Sequence, residues 1–144
     1  MNDDHQFRVG VNLFLLREGK VLLGQRKNCS GAGEWGLPGG HLEFGEAMQD
    51  GVRRELKEET GLDITDLEFV NLTNCPQPGR HYIQVAFAAR EVVGEPVIME
   101  PDRCAEWRWF GRDELPENLF FGHRTQIEGF LKAQKMFIDS EKVT

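Results

Sequence analysis

The order of elements in this chain predicts an α/β layered domain. Three observations carry that expectation. Apolar runs of strand length recur along the chain, two segments show helical periodicity, and breakers such as Gly31, Gly33 and Pro38-Gly39-Gly40 fall between them. The 144 residues suit one domain with a real core, and 40% hydrophobic content argues for packing rather than disorder.

The elements follow in order. Phe7 to Leu16 is apolar-rich and reads as a strand. Arg17-Glu18-Gly19-Lys20 is a turn, and Val21 to Gln25 returns to make a hairpin. Asn28 to Glu34 is loop chemistry. Trp35-Gly36-Leu37 reads as a short strand, ended by the glycine turn. A helix is expected from about Ala47 to Thr60, with Gly61 as its left-handed stop. Leu67 to Cys75 reads as a strand, Pro76-Gln77-Pro78-Gly79 as a turn, and His81 to Val93 as the next strand. Glu95 to Arg103 is a loop, Trp107 to Phe110 a short strand, and Asp113 to Leu115 a brief helical turn. A second helix is expected over roughly His123 to Phe137, on a stripe of Ile127, Phe130 and Leu131. The tail from Asp139 is expected to fray. With no repeat or linker in view, residues 1–144 read as a single domain with a core of about 7–137.

The first helix carries the chemistry. At about 100° per residue, Glu55, Glu58 and Glu59 fall within about 100° of one another. The same arc holds Met48, Gly51 and Val52, with Leu56 at its edge. Gln49, Asp50, Arg53, Lys57 and Thr60 occupy the opposite face, the expected wet side. Three carboxylates on or beside an inward stripe need a remedy: protonation, cationic partners or a metal. A hard divalent cation suits three together, and a solvated acidic face is the alternative that spacing leaves open.

Composition narrows the partners. The formal net charge of −7 argues against a polymeric nucleic-acid ligand, which would call for a basic stripe. A small anionic substrate remains compatible, because a bound cation inverts the local field. Cys29, Cys75 and Cys104 form no CxxC pair and read as reduced thiols of a cytoplasmic protein. The acidic start Met1 to Gln6 lacks the pattern of a secretory signal, and no apolar run is long enough for a membrane span.

The surrounding letters extend the reading. Gly40, then five residues, Glu46, then seven residues, and Arg54-Glu55-Leu56-Lys57-Glu58-Glu59-Thr60-Gly61-Leu62 resembles the Nudix box. All seven fixed letters match, as do the aliphatic positions Leu56 and Leu62. Leu37 to Glu46, His81-Tyr82, Glu100-Pro101 with Cys104, Trp107 with Trp109, and Glu114-Leu115-Pro116 before Leu119-Phe120 resemble one MutT-related branch. That branch includes vertebrate thiopurine-nucleotide hydrolases and plant cytosolic Nudix enzymes. The similarity spans roughly Val9 to Gly122. One departure is visible: Ala105 separates Cys104 from Glu106, where the branch places the acidic residue next to the cysteine.

The resemblance implies a mixed β-sheet sandwiched between α-helices and a homodimer. It implies Mg²⁺-dependent hydrolysis (Mn²⁺ serving as well) of a nucleoside or deoxynucleoside triphosphate, oxidised or modified bases included, to the monophosphate and pyrophosphate. Glu55 and Glu59 are the expected metal ligands, with Glu58 as third and a carbonyl from Gly39 or Gly40 joining them. Arg54 is expected to orient the neighbouring glutamate. The general base is Glu55, Glu58 or a carboxylate outside the box, with Glu100 and Glu106 as candidates. His41, His81, Tyr82 and Glu46 are candidate substrate contacts, Glu46 doubling as a charge at the helix start. Phe44, Tyr82, Trp107, Trp109, Phe120 and Phe121 are candidate stacking surfaces for a base, with core packing as the alternative for each. Two other readings stay open: a diphosphatase acting on a pterin or prenyl compound, and a binding module without catalysis.

Overall fold

The computed structural model describes residues 5–132 and 137–139. Its strands are β1 (Phe7–Arg17), β2 (Lys20–Arg26), β3 (Trp35–Gly36), β4 (Gly39–His41), β5 (Glu68–Gln77), β6 (Arg80–Ala89), β7 (Cys104–Gly111) and β8 (Phe137–Asp139). Two helices, α1 (Met48–Thr60) and α2 (Phe121–Leu131), complete it with a 3-10 turn at Arg112–Glu114.

The eight strands join in one mixed sheet ordered β3-β2-β1-β6-β5-β8, with β4 against β1 and β7 against β2. β1 and β6 run parallel from Phe7↔His81 to Leu15↔Ala89, whereas β5 and β6 form an antiparallel hairpin.

The continuous apolar run of β1 has a physical reason: both faces are covered. Val11, Leu13 and Leu15 join Leu22, Val85 and Phe87 on one face, where Val52 and Leu56 of α1 pack. Phe14 joins Leu23, Ala86 and Ala88 on the other, where Ile127 of α2 packs and Phe130 stacks on Phe14. Alternate residues of one strand therefore serve two cores, giving the expected sandwich of sheet between helices.

Several boundaries differ from the sequence reading. The second helix begins at Phe121 and ends at Leu131, and Phe137 lies in β8, paired with Leu72 of β5. The expectation of helix over residues 133–136, and of fraying over 140–144, lies outside the described residues. β5 continues through Pro76 to Gln77, leaving Pro78-Gly79 as the turn, and β6 stops at Ala89. β4 was not anticipated, because its glycines have no strand propensity; pairing with Gly10–Asn12 of β1 makes it a strand.

Two residues of α1 break the expected faces. Met48 is exposed despite its place on the inward arc. Thr60, expected to be wet, is fully buried, donating its hydroxyl to the Leu56 carbonyl at 2.7 Å and accepting the Leu62 N–H at 3.2 Å. Gly61 ends the helix as expected, at φ 78°. No helix of the described residues is long and apolar enough to cross a membrane.

Candidate active site

The glycine turn is pinned before it does anything else. Leu13 N–H donates to the Pro38 carbonyl at 2.9 Å, and Gly39 and Gly40 pair with Asn12 and Val11. Gly39 lies at φ 154°, so close to β1 that a Cβ would stand 2.2 Å from the Val11 carbonyl oxygen. This fixes the turn against α1. Gly39 N–H donates to Glu59 Oε1 at 2.8 Å, and Gly40 packs on the Glu55 carboxylate, where a Cβ would lie 2.4 Å from its Cδ.

Arg54 organises the acidic groups around that turn. Its Nε and Nη2 hold both oxygens of Glu46 at 2.7 and 3.0 Å. Its Nη1 donates to Glu55 Oε1 at 2.9 Å and lies 3.4 Å from Glu58, and Nη2 reaches the His41 carbonyl. The backbone position of Arg54 borders the carboxylate arc, but its long side chain brings the guanidinium to the middle of it. Arg54 in turn holds the Glu46 carboxyl down to about 2, aided by the Glu43 N–H. Arg54 itself is raised further above its ordinary value, chiefly by Glu46.

The box glutamates differ in setting. Glu59 is half-buried and crowded by the protein around it; desolvation pushes its carboxyl well above the usual range, and the Gly39 N–H offsets this only in part. Burial also raises Glu55, against the opposing pull of Arg54. The Glu58 side chain is 50% exposed. With Glu55 drawn to Arg54, the described residues hold no ready cluster of three acidic, His or Cys side chains at metal spacing. The donor set nevertheless fits a hard cation: carboxylate oxygens, two of them destabilised as anions by burial, beside a glycine backbone.

These residues border a cleft of about 630 Å³. Gly40, Glu55, Glu58, Glu59, His41 and Tyr82 line it, as does Glu100. His41 Nε2 and the Tyr82 hydroxyl are hydrogen-bonded at 3.1 Å. Burial and then Arg8 and Arg80 lower the His41 pKa. Glu46 lies outside the lining, its carboxylate being engaged by Arg54. Glu106 is outside it too, paired with Arg108 at 2.9 Å. His81 is bonded to Asn74 beside a separate small cavity. Of the six candidate stacking residues, Tyr82, Trp107 and Phe120 line the cleft. Phe44 projects into solvent, Trp109 packs on the core beneath Arg17, and Phe121, the first residue of α2, lies outside the lining.

Sequence reasoning missed the far wall. Asn12 and Gln84 interrupt the apolar strands β1 and β6, and that interruption was the available signal. Asn12 Nδ2 donates to Gln84 Oε1 at 2.8 Å and to Gln126 Oε1 at 3.0 Å. His123 is buried in the cleft wall, and Arg26 lies 3.7 Å over the Phe120 ring. Arg80 and Arg103 also line the cleft.

The NUDIX domain model matches residues 6–130. An ADP-ribose pyrophosphatase of Methanocaldococcus jannaschii is 32% identical over 86% of this chain and 73% of its own length. An oxidized purine nucleoside triphosphate hydrolase of Mus musculus is 35% identical over 76% of this chain and 69% of its own. The crystal structure of a MutT NUDIX hydrolase from Burkholderia pseudomallei superposes with a TM-score of 0.82 at 34% identity, covering 86% of this chain and 98% of that one. With Glu55, Glu58 and Glu59 gathered at one cleft and the domain model matching residues 6–130, the chain belongs to the Nudix family and is a Nudix hydrolase.

Proposed function

We propose that the protein hydrolyses a nucleoside or deoxynucleoside triphosphate, oxidised or modified bases included, to the monophosphate and pyrophosphate, with Mg²⁺ as cofactor. The observation that carries this reading is the two-ended cleft. Glu55 and Glu59 meet the glycine turn at Gly40 and Gly39, Glu58 and Glu100 line the same cleft, and His123 and Phe120 line it at Gly36. Arg26, Arg80 and Arg103 add cations suited to a polyphosphate chain.

Bound Mg²⁺ supplies neutralisation of phosphate charge and a more acidic water. Glu59 and Glu55 would hold it, with Glu58 and the Gly40 carbonyl as further donors. Arg54 orients Glu55 and keeps Glu58 within reach, a supporting role of the kind that tunes ligands. Glu55 or Glu58 takes the proton of the attacking water, and Glu100 is the alternative outside the box. His41 and Tyr82 contact the substrate from the adjoining wall.

The activities for which the two relatives are named, on ADP-ribose and on oxidised purine nucleoside triphosphates, support a nucleoside-phosphate substrate. The first also favours a second reading, a substrate with a diphosphate linkage. A panel of triphosphates, ADP-ribose and pterin and prenyl diphosphates, scored by kcat/KM with products identified, tests both. Triphosphates in the lead with pyrophosphate released are expected. Diphosphates in the lead would replace the first reading by the second, and no Mg²⁺-dependent release anywhere would sink both. A homodimer belongs to this proposal, and sedimentation at the 16.5 kDa mass of one chain would remove it.

A further inference from the structure

The proton of His123 has one place to be. Its Nδ1 accepts the Leu37 backbone N–H at 3.0 Å, so the neutral ring carries its hydrogen on Nε2. The imidazolium is excluded by the same contact, which would set two N–H donors against each other. Burial, and after it the charge of Arg26, holds its pKa down to about 3, in keeping with that geometry. The ring is also held in place. Gly36 packs on it, where a Cβ would stand 2.8 Å from Nδ1, and Phe120 meets it edge-on with centroids 5.0 Å apart. Turning the ring would leave the Leu37 N–H buried without a partner.

Nε2 meets no acceptor among the described residues, and His123 lines the cleft. It is a permanent donor awaiting one. Gln84 reaches the preceding residue, Gly122, from β6. Gln84 Oε1 is taken by Asn12, leaving Nε2 as the free end, 3.5 Å from where a Cβ of Gly122 would lie. Two donors therefore share one wall. His123 sits at the opposite end of the glycine segment from the carboxylates, since Gly36 touches His123 and Gly40 touches Glu55, and Gln84 lies between them, bonded to the Asn12 that pairs with Gly39. Four residues reach at most about 14 Å.

We propose that His123 sets base preference: its Nε2–H, backed by the Gln84 amide, selects bases that present a carbonyl oxygen over those that present an amino group there. This rests on reading the cleft as a nucleoside-phosphate site. A carbonyl accepts from the fixed donor. An amino group faces donor with donor, and His123 cannot change tautomer to relieve the conflict without losing Leu37.

The test compares kcat/KM for inosine against adenosine triphosphate, and uridine against cytidine triphosphate, in the wild type and in His123→Leu. Each pair exchanges a carbonyl for an amino group at one ring carbon. The oxo member is expected to lead by about 10- to 100-fold in the wild type, and the lead should collapse toward parity in the variant as turnover of the oxo member falls. Parity in the wild type overturns the inference and leaves the hydrolase reading intact; cleavage of no nucleoside triphosphate overturns both. Because His123→Leu also unpairs the Leu37 N–H, a second measurement uses the unaltered protein. Imidazole ¹H–¹⁵N spectra are recorded with inosine or adenosine monophosphate, and only four histidines need assignment. An Nε2–H tautomer whose Nε2 signal moves with the inosine compound alone is expected. An Nδ1–H tautomer, or equal movement with both nucleotides, overturns the proposal.

Discussion

The Gly39 N–H donates to Glu59 Oε1 at 2.8 Å, tying the glycine turn to the last turn of α1. Glutamine at position 59 keeps an oxygen for that bond and removes only the charge. Glu59→Gln is therefore expected to lower kcat by on the order of 10³-fold or more while holding the metal-free Tm at or above that of the wild type, since burial opposes the anion. Mg²⁺ should raise the Tm of the wild type by mass action and that of the variant far less. Steady-state rates and melting curves with and without Mg²⁺ check this, and an active variant free of wild-type contamination would end the metal assignment.

Gly39 and Gly40 should fail in different ways. A methyl at Gly40 meets the end of the Glu55 side chain, which can swing aside, so Gly40→Ala is expected to fold and to lose about 10²-fold in kcat/KM. A methyl at Gly39 meets the Val11 backbone at an already demanding φ, so Gly39→Ala is expected to lower the Tm by several degrees, about 1–3 kcal/mol of strain. Equal melting temperatures for the two variants would contradict the packing described.

Arg54 makes its contacts through a planar fork, which lysine cannot copy. Arg54→Lys should weaken Mg²⁺ affinity by about 10- to 100-fold, because Glu55 loses its orienting donor. Titration calorimetry with Mg²⁺ alone reads this directly, and an unchanged affinity would reduce Arg54 to a structural ion pair.

Acid stability should report His123. Its folded pKa of about 3 lies below the ordinary 6.5, so the unfolded chain binds the extra proton as pH falls. The stability held by the neutral ring is complete above about 6.5 and is lost toward 3, at up to about 1.4 kcal/mol per pH unit. The Tm difference between wild type and His123→Gln should therefore shrink on going from pH 7 to pH 4. Glu59 and Glu55 titrate alike in both proteins, so their opposite tendency cancels in the difference. A difference independent of pH would contradict the burial of this ring.

Much of the fold was legible because its signals are local. The apolar run of Val11 to Leu15, the helical stripe of Val52 and Leu56, and the stop at Gly61 need no distant partner to be read. What failed to show was set by long-range pairing. The strand at Gly39–His41 exists because β1 lies beside it. Phe137 ends in a strand because β5 offers an edge, and Thr60 is buried on a face that periodicity assigns to solvent, where the Val97 N–H donates to its carbonyl.

The sequence alone determined the family and the reacting end of the site, since seven spaced letters over one loop and one helix encode both the carboxylates and the turn that meets them. Only the tertiary structure decided how those carboxylates differ: Glu59 is desolvated against Gly39, Glu58 is half in water, and Glu46 is given over to Arg54. It also assembled the opposite wall, joining His123 to Leu37 across 86 residues and Asn12 to Gln126 across 114. The reason is physical. Periodicity specifies which side of an element is apolar, but desolvation and hydrogen bonding depend on what the folded chain places against it.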